Sequence, residues 1–147
     1  MTLVALVRDR WYPAWDAGDR RLLAEATRAV FAPAARISAK PGTPEAPLET
    51  VLAGWLREVD TWQNQRHVVT LALEEDDRAA WVMQWEAIHA GPLQLPDGRV
   101  VPATGATVEA EAAFFASWDG ERIVELRAFS DYSGLASRLE RLAENKR

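Results

Sequence analysis

The sequence predicts an α+β fold, in which helices cover one face of a strongly curved, mostly antiparallel sheet. Apolar residues recur at helical spacing through the first 61 positions and again near the C-terminus, while from residue 66 the period drops to two. Turn-forming segments then separate four strand-like stretches between residues 66 and 132. The chain of 147 residues suits one domain spanning 1–147, large enough to bury a core without covalent staples.

The first helix rests on Leu3, Val7, Trp11 and Trp15, which recur every four residues, with Leu6 and Ala14 widening the stripe. Pro13 lacks a backbone donor and predicts a kink there. Gly18 ends this helix and Asp19 can cap a second over about 20–30, carrying Leu22, Leu23, Ala26 and Val30 inward. A turn into a short strand follows from Phe31. Lys40-Pro-Gly-Thr-Pro-Glu-Ala-Pro is a loop by composition, and delivers a third helix over about 46–61. Leu48, Val51, Leu52, Trp55, Leu56 and Val59 form its apolar face. Strands are expected at 66–75, 79–89, 107–118 and 122–132, with Asp119-Gly120 a tight turn between the last two. Leu135, Leu139 and Leu142 place a final helix at about 134–144. Helices packed over one face of such a sheet can leave a hollow between the layers, where ligand sites commonly form.

Composition narrows the chemistry. Seventeen Lys and Arg against twenty-two Asp and Glu give a net charge of −5, which argues against a nucleic-acid surface. With no cysteine, disulfides, thiolate catalysis and thiolate metal sites are excluded, and two histidines, His67 and His89, are too few for a histidine-rich metal site. No apolar run has the length of about 20 residues that a bilayer demands, and no secretory leader is legible, so no membrane partner and a cytoplasmic location are expected. No phosphate-binding glycine loop or serine nucleophile motif is present, and no Asp/Glu/His grouping has metal-ligand spacing. Neither a metal nor another cofactor is expected. Seven tryptophans are many for this length, and a majority must lie in the core while a minority can wall a pocket for a flat apolar molecule.

Several short motifs occur in a characteristic order. Trp11-Tyr-Pro-Ala-Trp-Asp-Ala-Gly-Asp19 precedes Phe31-Ala-Pro; Ile88-His-Ala-Gly91, Pro102-Ala-Thr-Gly105, Asp119-Gly120, Ile123-Val-Glu125 and Asp131 follow. This succession resembles the SnoaL-like polyketide cyclases of the nuclear-transport-factor-two-like superfamily. The resemblance implies a cone-shaped α+β barrel enclosing a pocket, a cofactor-independent ring closure on a polyketide-derived substrate, and a homodimer. The chain departs from the family pattern at Ala103, Ala106, Arg127 and the lengthened 91–104 turn, so substrate identity does not carry over.

The resemblance makes Asp131 the general acid/base, at the end of the last strand. Strand alternation places it on one face with Ile123, Glu125, Arg127 and Phe129, where apolar neighbours could raise its pKa; the competing role is a cap for the helix that follows. His89 matches the family histidine and could bind a substrate carbonyl or orient Asp131, or else pin the loop after its strand. Tyr12, Gln84 and Arg127 are candidate donors to a developing oxyanion. Trp15, Trp55 and Phe129 are candidate pocket walls. His67 has no partner legible in the sequence and reads as structural. Trp81, Met83, Trp85 and His89 share one strand face, Gln84 and Glu86 the other, and the sequence leaves open which faces inward. Glu109 and Glu111 are expected on a solvent or dimer face. A dehydratase, isomerase or epoxide-hydrolase-like enzyme, or a non-catalytic ligand-binding module, are the alternatives on the same scaffold.

Overall fold

The computed structural model describes residues 1–40 and 42–145. The chain opens with α1 (Leu3–Leu6), a π-helical turn (Val7–Trp11) and α2 (Tyr12–Asp16), followed by α3 (Arg20–Val30). The Tyr12 N–H bonds back to the Val7 carbonyl, five residues away. That wide turn immediately before Pro13 takes up the proline without ending the helical path. The Thr2 side chain caps α1 and the Asp19 carboxylate caps α3. Gly18 stands between α2 and α3 at φ +68°, the left-handed region that a helix terminus commonly reserves for glycine. Leu22, expected inward, lies on the solvent side of α3, because Leu23, Thr27 and Val30 form the buried stripe.

After β1 (Phe31–Ser38) and β2 (Ala46–Pro47), α4 (Leu48–Thr61) leads into a run of strands: β3 (Trp62–Glu75), β4 (Arg78–His89), β5 (Leu93–Gln94), β6 (Val100–Val101), β7 (Thr107–Trp118) and β8 (Ile123–Ser130). The helix α5 (Tyr132–Asn145) closes the described chain. The order in the main sheet is β2-β1-β8-β7-β4-β3, antiparallel throughout except for the β1–β8 pair; β5 and β6 form a separate hairpin. Register shifts interrupt β3 twice, and interrupt β1–β8 and β7–β8 once each. Each such irregularity adds twist, and together they curl the sheet into an open cone around the helices.

The concave face is covered by two packed regions. Leu3, Val7, Trp11, Trp15, Phe31 and Ile37 meet Trp81, Phe114 and Leu126 beneath the N-terminal helices. At the other end, Trp62, Leu93, Leu95 and Val101 meet Val108, Ala136 and Leu139 of α5. The two share Trp85, which packs against both. Gly91 joins α4 to this end: a Cβ there would lie 2.1 Å from the Asp60 carbonyl oxygen, so no larger residue fits without moving backbone.

Candidate functional site

Where α2 and α4 end over β3, a cleft of about 440 Å³ opens, lined by Asp16, Val59, Asp60, Trp62, Asn64 and Gln65. Asn64 adopts φ +53°, next to the first register shift of β3, and this irregularity lets Gln65 stay buried between exposed neighbours. Strand β3 thus supplies inward-facing polar groups where regular alternation alone predicts an apolar stripe.

The strongest polar contact across this region joins helix to strand. Asp16 Oδ1 lies 2.7 Å from His67 Nδ1, and Asp16 Oδ2 accepts the His67 backbone N–H at 3.3 Å. An ionised carboxylate can only accept, so Nδ1 carries the proton and Nε2 is left as the basic ring nitrogen. The ring is held on its faces as well: Tyr12 stacks on it at 4.9 Å between centroids, and Trp15 lies at 5.8 Å. Only 7% of the His67 side chain is exposed, against 31% for Asp16. His67 is therefore a positioned imidazole, with a partner that was not legible in the sequence. The pairing spans 51 residues of sequence and joins a helix to a strand, which periodicity cannot reveal.

A second group has its orientation set by chemistry. Trp85 Nε1–H donates to Gln65 Oε1 at 3.1 Å. Since an indole nitrogen only donates, the Gln65 amide must turn its oxygen toward Trp85 and its NH₂ away. That NH₂ is buried and has no hydrogen-bond partner among the described residues. A fixed, unsatisfied donor is what an oxyanion site needs.

Between the two packed regions the concave face keeps accessible surface. On β4 the half-buried Trp85 lies between buried Met83 and Ala87; on β7, Ala110 and Ala112 lie between buried Val108 and Phe114. Ser130, the cross-strand partner of Ala112, is also half-buried. These positions lie under the helices, so their exposure marks a hollow, which the small side chains of Ala110, Ala112 and Ser130 leave open. Trp55 of α4 is half-buried and packs on Trp15 at 6.0 Å and Trp11 at 5.2 Å. One turn further along α4, burial pushes the Glu58 carboxyl above the usual carboxylate range, while nearby Lys40 and Arg57 pull it back. Tyr132 is raised by its own burial and by the Glu58 charge, and Lys40 Nζ lies 4.1 Å from the centre of its ring. Glu58 was not among the residues singled out from the sequence, because a glutamate beside Arg57 on an amphipathic helix looks like a solvated charge.

The residues expected at the site separate into three groups. Tyr12 and Trp15 are buried, with the Tyr12 hydroxyl accepting from Trp81 Nε1 at 2.9 Å, and Trp55 is half-buried. Gln84, Arg127 and Phe129 point the opposite way, onto the exposed convex face, as do Glu109 and Glu111. Gln84 there bonds to Glu111, and Arg127 lies 5.8 Å from the Phe129 ring. The shift between Ser117 and Trp118 is the reason: it turns Ile123 into the core but sends Glu125, Arg127 and Phe129 outward. Asp131 is exposed, and its Oδ1 accepts the Gly134 N–H at 3.0 Å, the geometry of a cap on α5. The apolar surroundings expected for its carboxyl are not there.

His89 does face inward, with Trp81, Met83 and Trp85, and is fully buried beside Trp62 at 5.3 Å. Its Nδ1 lies 3.0 Å from the Thr104 hydroxyl and accepts the Thr104 N–H at 3.3 Å. Its backbone bonds to Ala106 and Gly105 as well. This histidine pins the loop before β7. Burial lowers its pKa, against a smaller opposing effect of the Gly91 backbone, so the ring is held neutral. Among the described residues no group of three or more His, Asp or Glu side chains is placed to hold a metal ion.

No family model matches the sequence, and no curated protein matches it. Solved structures do. A candidate SnoaL-like polyketide cyclase from Jannaschia sp. CCS1 superposes with a TM-score of 0.75 at 18% identity, over 94% of this chain and 89% of that one. IdmH, a candidate polyketide cyclase from Streptomyces antibioticus, gives 0.74 at 22%, over 95% and 99%. AclR, a candidate hydroxylase from Streptomyces galilaeus, gives 0.75 at 18%, over 95% and 81%. At these identities the likeness is one of fold: the chain has the architecture of the SnoaL-like proteins, as the succession of motifs implies.

Proposed function

We propose that the chain is a cofactor-independent enzyme that closes a ring in a polyketide-like small molecule, with His67 as its acid/base. The observation that carries this reading is the Asp16–His67 pair, whose oriented imidazole lies two residues beyond the unsatisfied Gln65 donor on the inward side of β3. His67 Nε2 removes a proton from a carbon between two carbonyls, and the electron pair of that C–H bond moves onto the carbonyl oxygen. The Gln65 amide stabilises the resulting enolate oxygen. Asp16 holds the tautomer and stabilises the imidazolium that forms. The enolate carbon then attacks a second carbonyl of the same chain, a C–C bond forms, and the imidazolium returns its proton to the new alkoxide. Trp55 and Trp85 supply flat surfaces against which a long substrate can fold into attacking geometry.

This reading moves the acid/base role from Asp131 to His67. A dehydration on the same scaffold would begin with the same proton abstraction and differ in releasing water. No helix among the described residues is long and apolar enough to cross a membrane; the proposed substrate is a small molecule and the proposed location the cytoplasm. The convex face carries exposed Phe115 and Phe129, edge to face at 5.8 Å, beside Arg127; a second copy of the chain is the expected occupant, and sedimentation at micromolar concentration tests it.

The test of the chemistry is turnover of poly-β-carbonyl thioester mimics, followed by mass spectrometry. Cyclisation gives an isomeric product, and dehydration a product lighter by one water. Asp16→Asn and His67→Ala are each expected to lower kcat/KM about 10²- to 10⁴-fold. Parental turnover in both variants removes the proposal.

A further inference from the structure

The hollow has two polar poles, and only one of them belongs to the proton-transfer machinery. At the β3 side stand His67 and Gln65. Crossing the sheet from there, the inward residues are Trp85 on β4, then Ala110 and Ala112 on β7, then Ser130 on β8, linked as direct cross-strand partners at His67–Trp85, Trp85–Ala110 and Ala112–Ser130. This floor is apolar or small from end to end. Beyond Ser130, the chain turns into α5 at Tyr132; Lys40, two residues past β1, lies over the Tyr132 ring, and the Glu58 carboxylate of α4 is near enough to both for their charges to interact. Glu58 is half-buried, and its carboxylate forms no hydrogen bond or ion pair within 4.0 Å among the described residues, although Lys40 and Arg57 act on it from further away. From β3 to β8 is three strand spacings, roughly 14 Å of floor.

We propose that Glu58, flanked by Tyr132 and Lys40, is a recognition group for the far end of the substrate, and that the substrate is an elongated, flat, largely apolar molecule with an oxygen function at each end. This rests on the proposed acid/base site at His67 and adds the substrate's shape and polarity to it. One end presents its carbonyl to Gln65 and His67. The apolar middle lies over Ala110, Ala112 and Ser130, against Trp85 and Trp55. The other end accepts a hydrogen bond from the protonated Glu58 carboxyl, the form that its burial favours. A carbonyl or hydroxyl suits this pole in its neutral form; a carboxylate would face Glu58 with like charge once that group ionises.

Two non-ionising flat probes separate the poles: 2,6-diacetylnaphthalene, with a carbonyl at each end, and 2-acetylnaphthalene, with one. Binding is read by quenching of tryptophan fluorescence. The parent protein is expected to bind the two-ended probe about tenfold more tightly than the other, the worth of one good hydrogen bond. Glu58→Leu abolishes that difference without weakening the one-ended probe. Glu58→Gln, which keeps a donor in the same shape, retains it. The charged and titratable groups facing Glu58 are Lys40, Arg57 and Tyr132, and burial raises the Glu58 carboxyl above the usual carboxylate range. The preference in the parent therefore fades as pH rises through the Glu58 titration, while that of Glu58→Gln is flat. Equal weakening of both probes by Glu58→Leu, or an unchanged preference, overturns the proposal. Gln65→Leu weakens both probes if the first pole is right. If the parent binds neither probe, the hollow is no ligand site, and the acid/base reading falls with the recognition of the far end.

Discussion

Tyr12→Phe separates a structural phenol from a catalytic one. The Tyr12 hydroxyl accepts the Trp81 indole N–H at 2.9 Å, and the two residues are 3% and 2% exposed. Phenylalanine preserves the ring, with its stacks on Trp11 at 5.4 Å and on His67 at 4.9 Å, and removes only the acceptor. The indole N–H is then buried without a partner, which costs about 1–3 kcal/mol. For a domain of this size that corresponds to a fall in Tm of roughly 2–12 °C. Calorimetry or thermal circular dichroism reads it directly. Trp81→Phe removes the donor instead and adds a cavity, so the double variant is expected to lose less than the two single losses combined. Because the hydroxyl is occupied within the core, Tyr12→Phe keeps most of the turnover. A variant as stable as the parent refutes the hydrogen-bond accounting, and an unchanged Tm with collapsed turnover restores Tyr12 as a substrate donor.

Other outcomes follow from the same geometry. Asp131→Ala is expected to lower stability by about 1 kcal/mol through loss of the α5 cap, with Asp131→Ser recovering most of it in thermal melts and turnover little changed. Glu58 is held above its unfolded pKa, so the native state binds more protons there and stability attributable to this group falls as pH rises. Glu58→Gln should therefore gain Tm over the parent near pH 8, and the gain should vanish below about pH 4, where the carboxyl is protonated in both states. His89 shows the opposite sign: its folded pKa is depressed, so stability is lost as acidification below about 6.5 protonates the unfolded chain first. His89→Gln should flatten that acid limb in urea titrations at pH 5 and 7.

Much of the fold was legible because it rests on local regularities. The α4 stripe from Leu48 to Val59 and the alternation of β4 from Ala79 to His89 both follow from side-chain period, whereas the short strands β2, β5 and β6 were not among the expected elements. The site was less legible. Alternation along β8 grouped Ile123 with Glu125, Arg127 and Phe129, but a register shift against β7 buries Ile123 and turns the other three outward. The Asp16–His67 pair and the Gln65–Trp85 pair were invisible for a related reason, since each joins residues brought close only when the sheet curls under the helices. Glu58 was hidden by its identity: a charged residue on a helix is ordinarily solvated, and only its partial burial near Lys40 and Tyr132 makes it otherwise.

By itself, the sequence determined the succession of helices and strands, the lack of thiol chemistry and the supply of tryptophans, because these depend on residue identity and short-range spacing. The inward face of each strand, the two packed regions with a hollow between them, and the polar groups that meet there were decided by tertiary structure. Burial, tautomer and hydrogen-bond partner are properties of a neighbourhood, and that neighbourhood is assembled from segments as much as 51 residues apart.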